Sequence, residues 1–195
     1  MASIKRPAAG FSLLEVLVSI IVFSLGLLGA VGMLMTSVRG TTESGSFTSA
    51  VNLVRELSEK ARINKNVSSR NGEANLYLLA DLKSRDALPK RGDSCVGFDA
   101  GCSQAELASW DLYQWVLRAR NTLPDVRIAV CFDDEVVSGE RESTWDCTLA
   151  GRNLVVKLGW KPHGGSSDEA SGDKEPPRVV MQLVPGHDDD GSGGN

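Results

Sequence analysis

The sequence predicts an α+β fold, with a long N-terminal helix packed on an antiparallel β-sheet, plus an extra helix and disulfide-tied loops. Three observations carry this reading. A 25-residue apolar run, Phe11–Met35, is followed by apolar residues at helical spacing as far as Ala61. Short segments of period-two alternation, separated by turn-rich sequence, fill the second half. Four cysteines all lie beyond the apolar run.

The run reads FSLLEVLVSIIVFSLGLLGAVGMLM and has one charge, Glu15. As a helix it is roughly 37 Å long, enough to cross a bilayer core of about 30 Å. The apolar core of a cleavable secretion signal is shorter, about 7–15 residues, so that reading fits less well. Lys5 and Arg6 precede the run, and the more distant Arg39 and Glu43 follow it. The positive-inside rule then puts the preceding residues in the cytoplasm and everything past Met35 outside.

Beyond the span, Phe47, Val51, Val54, Leu57 and Ala61 form one helical stripe. Arg55, Glu56, Glu59 and Lys60 occupy the other face, Gly40 and Gly45 make a weak joint, and Asn71-Gly72 marks the outer limit. Residues 63–102 read as irregular, with one apolar patch at Leu76–Leu82. Ser103 and Glu106 have capping-box spacing. A helix is expected from Gln104 to about Arg120, ending before Pro124, with Leu107, Trp110, Trp115 and Val116 inward. Strands are expected around Val126–Cys131, Thr144–Leu149, Leu154–Trp160 and Arg178–Val184. A polar loop, Lys161–Pro177, precedes the last of these, and the tail HDDDGSGGN reads as disordered.

An even cysteine count outside the membrane reads as disulfides, with three possible pairings. Cys95–Cys102 and Cys131–Cys147 are preferred, because each closes a short local loop; the second would contribute about 3 kcal/mol in the chain-entropy model. No pair is spaced C-x-x-C and no histidine is near, so no metal site is expected.

Catalytic motifs such as G-x-S-x-G, H-E-x-x-H and a Walker loop are absent. His163 and His187 sit in polar segments, and Asp133-Asp134-Glu135 reads as a solvated strand end. Arg91-Gly92-Asp93 matches an adhesion tripeptide, a three-residue pattern that chance explains. The net charge is −4, and acidic residues interrupt the one basic cluster, Lys83, Arg85, Lys90 and Arg91. The expectation is no enzyme, no cofactor and no nucleic-acid partner.

The start of the chain is more specific. MASIKRPAAG is short and basic and ends in Gly10; Phe11, three uncharged residues and Glu15 follow, so that residues 10–15 read GFSLLE. Over about residues 1–39 this resembles the class III signal of type IV prepilins and pseudopilins. The resemblance implies the type IV pilin fold. It implies cleavage after Gly10 by a membrane prepilin peptidase and N-methylation of Phe11. It implies that Glu15 pairs with the N-terminal ammonium of a neighbouring subunit and sets assembly register. A lone carboxylate deep in a bilayer costs about 2.5–3.5 kcal/mol, so such a partner has physical sense.

EVLVSIIVFSLGLLGAVG, from Glu15, is similar to the PilV-type minor pilins, also called type IV pilus modification proteins. Many major pilins have a helix-kinking proline at the position of Gly32; this chain has none between Pro7 and Pro89, which favours a minor subunit. The implied organisation is a leader at 1–10, a transmembrane assembly helix at 11–35 and its periplasmic half at 36–62. A globular domain at 63–186 and a tail at 187–195 follow. The implied function is to join other minor pilins in priming type IV pilus assembly, and so adhesion and twitching motility. Implied partners are minor pilins, the major pilin, the peptidase, the inner-membrane assembly platform and a candidate tip adhesin. The implied location is the inner membrane, then the pilus and its tip. The alternative is a minor pseudopilin of a type II secretion system.

Overall fold

The computed structural model describes residues 10–70, 72–97, 101–134, 144–149, 152–161 and 175–183. The chain divides into two compact units, Met1–Thr42 and Glu43–Asn195. In the first, helix α1 (Leu13–Ile63) begins. Its large apolar residues are exposed on every side, from Leu13 at 83% to Val38 at 63%. Among the described residues it is the one helix long and apolar enough to cross a membrane. A helix that is apolar all round belongs in lipid or among other helices. The helix runs unbroken through Gly26, Gly29, Gly32, Gly40 and Gly45, so the expected joint is not a break in secondary structure. Hydroxyls of Thr36, Thr41, Thr42 and Thr48 donate to carbonyls of the preceding turn along this stretch.

In the second unit α1 becomes amphipathic. Ala50, Leu53, Val54, Leu57 and Ala61 are buried. The stripe is rotated from the expected one: Val51 is half-buried and Phe47 is 50% exposed. Phe47 instead meets Trp160, with ring centroids 6.3 Å apart. The helix ends at Ile63, short of Asn71-Gly72, and a single turn, α2 (Lys65–Ser68), follows.

The sheet has four antiparallel strands in the order β1-β2-β3-β4, at Leu79–Lys83, Arg127–Phe132, Leu154–Gly159 and Val179–Gln182. Strand β1 lies in the segment expected to be irregular, where LADLK shows only one buried residue and little alternation. Thr144–Leu149, expected as a strand, forms none. Helix α3 (Gln104–Thr122) sits between β1 and β2 in the chain. Its capping box is complete: Ser103 Oγ accepts from Glu106 N at 3.3 Å, and Ser103 N donates to Glu106 Oε2 at 2.7 Å. Its inward face is Ala108, Asp111, Leu112, Trp115, Val116 and Ala119, while Leu107 and Trp110 are only half-buried.

The core lies where α1, α3 and one sheet face meet. Cross-strand pairs Ile128–Leu158, Val130–Val156 and Phe132–Leu154 supply the sheet's share. The other face of β3 is also buried, at Val155, Lys157 and Gly159. Gly159 shows what covers it: a Cβ there would fall 2.8 Å from Cζ2 of Trp145. Gly159→Ala should therefore push the indole off the sheet. The expected cost is about 1–3 kcal/mol, measured as a lower urea midpoint with unchanged slope.

Candidate functional site

The residues that carry the signal stand at the start of α1. Gly10 and Phe11 precede the helix and are exposed, Phe11 to 84%. Ser12 starts the helix: its carbonyl accepts from Glu15 N at 3.0 Å and Val16 N at 3.2 Å, and its hydroxyl accepts from Leu14 N at 3.3 Å. Glu15 thus sits in the first turn, where the helix dipole favours an anion. Phe11, Glu15, Val16, Ser19, Ile20 and Phe23 line one open, mainly apolar groove. Gly26, Gly29 and Gly32 have open space where a side chain would stand. The structure brings Phe11 and Glu15 together on this groove. The leader residues 1–9 lie outside the described residues.

Both preferred disulfides are formed, Cys95–Cys102 and Cys131–Cys147, with Cα–Cα distances of 5.8 and 6.3 Å. The acidic turn is not the expected solvated strand end. Asp133 is fully buried and its Oδ2 accepts from Lys157 Nζ at 2.6 Å. Lys157 Nζ also donates to the Asp146 carbonyl at 2.7 Å. Asp134 Oδ1 accepts from the backbone of Asn153 at 2.8 Å and of Arg152 at 3.1 Å. Glu135, His163, His187 and the acidic tail lie outside the described residues.

The sequence reading missed a second buried polar cluster. Lys60 pairs with Asp111, and Tyr77 Oη lies 3.3 Å from the Lys60 carbonyl and 3.4 Å from Asp111 Oδ2. Burial, then the Asp111 charge, pushes the Tyr77 hydroxyl well above the usual tyrosine range. The available signal was Asp111 on the Leu112–Trp115 face of α3. Arg91 and Gly92 of the tripeptide pack on α3. The Arg91 guanidinium lies 5.2 Å from the Trp110 ring centroid and 5.7 Å from that of Tyr113, and Gly92 faces the Glu106 carbonyl and Ser109. Among the described residues no group of three or more His, Cys, Asp or Glu could hold a metal ion.

An exposed apolar helix with Glu15 in its first turn, a helix-on-sheet domain and two disulfides are the features of a pilin-class subunit. Two family models agree: the prokaryotic N-terminal methylation motif matches residues 5–31, and type IV pilin Tt1218 matches residues 32–113. Over residues 5–113 the chain is thus similar to type IV pilins, and its long helix with a four-stranded antiparallel sheet is the α+β pilin fold. No curated protein and no solved structure gives a match. Pilins are structural rather than enzymatic proteins, and this signal implies prepilin-peptidase processing, membrane anchoring and assembly with other pilins.

Asp134 gives the domain a defined acid response. The Asn153 amide, foremost, and that of Arg152 hold its carboxyl below the usual aspartate range. A depressed folded pKa stabilises the fold above the unfolded value of about 3.9, and this is lost as pH falls through the folded value. Asp134→Ala should flatten the decline of urea midpoint with pH in that acid window and leave the neutral-pH slope unchanged.

Proposed function

We propose that this chain is a minor pilin of the PilV type. It is cut between Gly10 and Phe11, methylated at Phe11, and inserted with other minor pilins into the complex that primes a type IV pilus. The observation that supports this most is the methylation motif running directly into a helix whose large apolar residues, from Leu13 to Val38, are open on all sides. The absence of proline between Pro7 and Pro89 favours a minor over a major subunit.

In this reading each residue has a separate task. Gly10 offers the peptidase bare backbone, since a side chain there would meet only open space and belongs to no packing contact. Phe11 supplies the new, still cationic, amine. Glu15 attracts the amine of a neighbouring subunit, and in a low-dielectric bundle that attraction far exceeds its value in water. The glycines at 26, 29 and 32 let neighbouring helices approach. The periplasmic domain presents its disulfide-tied loops to other subunits, and the pilus tip is its destination.

Two outcomes test the reading. Gly10→Val should leave the precursor uncut in cells that contain prepilin peptidase, seen by intact mass; normal maturation would refute the assigned junction. Glu15→Ala should insert and mature normally, because removing a charge eases insertion. It should then stay in the inner membrane while surface pili fall. Pull-down of the crosslinked protein reads the partners: pilins support the proposal, and secretion pseudopilins support the alternative system. Wild-type pulldown and piliation in the mature Glu15→Ala protein would show that the carboxylate has no assembly role.

A further inference from the structure

We propose that Lys157 makes closure of the sheet's outer face conditional on the Cys131–Cys147 disulfide, giving the domain an oxidation checkpoint. Lys157 stands in the middle of β3, opposite Ala129 of β2, and its side chain has no solvent exposure. A buried ammonium is tolerated only while hydrogen-bonded acceptors surround it. Two of those acceptors flank the two cysteines. Asp133, whose Oδ2 is 2.6 Å from Nζ, follows Cys131 by two residues. Asp146, whose carbonyl is 2.7 Å from Nζ, immediately precedes Cys147.

The bridge therefore holds together the two chain segments that solvate one buried charge. The same segment carries Trp145, which closes over Gly159 and lies 4.2 Å beneath the Arg127 guanidinium. Trp145 Nε1 donates to the Glu175 carbonyl at 2.7 Å, and Thr148 and Leu149 each reach the Phe132 carbonyl. Thr144–Leu149 is not a strand and has no sheet ladder to keep it in place. A dithiol reductant would convert the bridge to two thiols as it forms its own cyclic disulfide. The segment could then leave, and Lys157 would lose the Asp146 carbonyl and admit water. Reduction would remove the loop constraint and uncover a charge at once. With an apolar residue at 157, only the loop constraint would be lost.

The test is a double-mutant cycle on the full chain in mild detergent. All four tryptophans, at 110, 115, 145 and 160, lie beyond Glu43, so urea unfolding followed by their fluorescence reports the domain. Cys131→Ala with Cys147→Ala is made in the native background and in one carrying Lys157→Met with Asp133→Asn, which removes the ion pair as a unit. The folded-to-unfolded ratio should fall about 30-fold further in the native background than in the neutral one. Folding of the cysteine-free chain only in the neutral background is the extreme of the same result. Equal losses in the two backgrounds would overturn the proposal. A second readout uses the unaltered protein and an amine-acylating reagent. Lys157 should be unlabelled when oxidised and labelled after dithiol treatment; a Lys157 still protected after Cys131 and Cys147 are shown to be reduced would also overturn it.

Discussion

The contact between α3 and the outer part of α1 is the constraint on which the domain depends. Trp115 is fully buried, and its indole N–H donates to the Leu53 carbonyl at 2.7 Å. Ala50, Ala108 and Ala119 are also fully buried, in the same core cluster as Trp115 and Leu53. Lys60–Asp111 and Arg118–Glu56 fix the angle at further points. Once the helices are set, the sheet's apolar face has one place to go. An indole truncation here would lose packing and leave a cavity on both helices at once.

The opposite sheet face follows a different logic. No helix covers it among the described residues. Trp145, Arg127 and Asp81 cover part of it instead, with the guanidinium bidentate to Asp81 at 2.6 Å. Such a cover relies on a few specific contacts, so glycine at 159 and a disulfide at 131–147 do what a regular element does on the other side. The Cys95–Cys102 loop has less to do with the core: both cysteines are partly exposed, and Val96 within it is 74% exposed.

Much of this was legible in the sequence because it depends on local pattern. The apolar span, the capping box at Ser103–Glu106, strands β2, β3 and β4 and the local disulfides all follow from spacing between near neighbours. The failures are non-local. Strand β1 has weak alternation and exists because Val130 and Ile128 lie alongside it, with a register irregularity between Leu79 and Leu82. Thr144–Leu149 has strand-like composition, but the adjacent bridge and Trp145 hold it to the sheet face instead. Lys157 in LVVKLG alternates with the core residues Leu154, Val156 and Leu158, and its burial depends on a segment, Thr144–Leu149, that begins thirteen residues earlier. The buried stripe on α1 is rotated from the one the apolar spacing predicts because Phe47 packs at the edge on Trp160, beside the Arg178–Glu43 pair.

The two charges set in apolar surroundings separate what one chain can do alone from what needs a second. Lys157 is enclosed, and its counter-charge and carbonyl come from the same domain, so its cost is met on folding. Glu15 is different. Among the described residues its side chain has no hydrogen-bond or ion-pair partner, and it faces a groove lined by Phe11, Ile20 and Phe23. Near an interface or in water a free carboxylate there costs little; surrounded by lipid or by other helices it costs several kcal/mol. In the proposed assembly the same residue would gain a partner most strongly where other subunits had already displaced water. In the proposed assembly, a carboxylate with no partner among the described residues would favour the assembled over the isolated subunit, without adding apolar area to a helix that already exposes its large apolar residues from Leu13 to Val38.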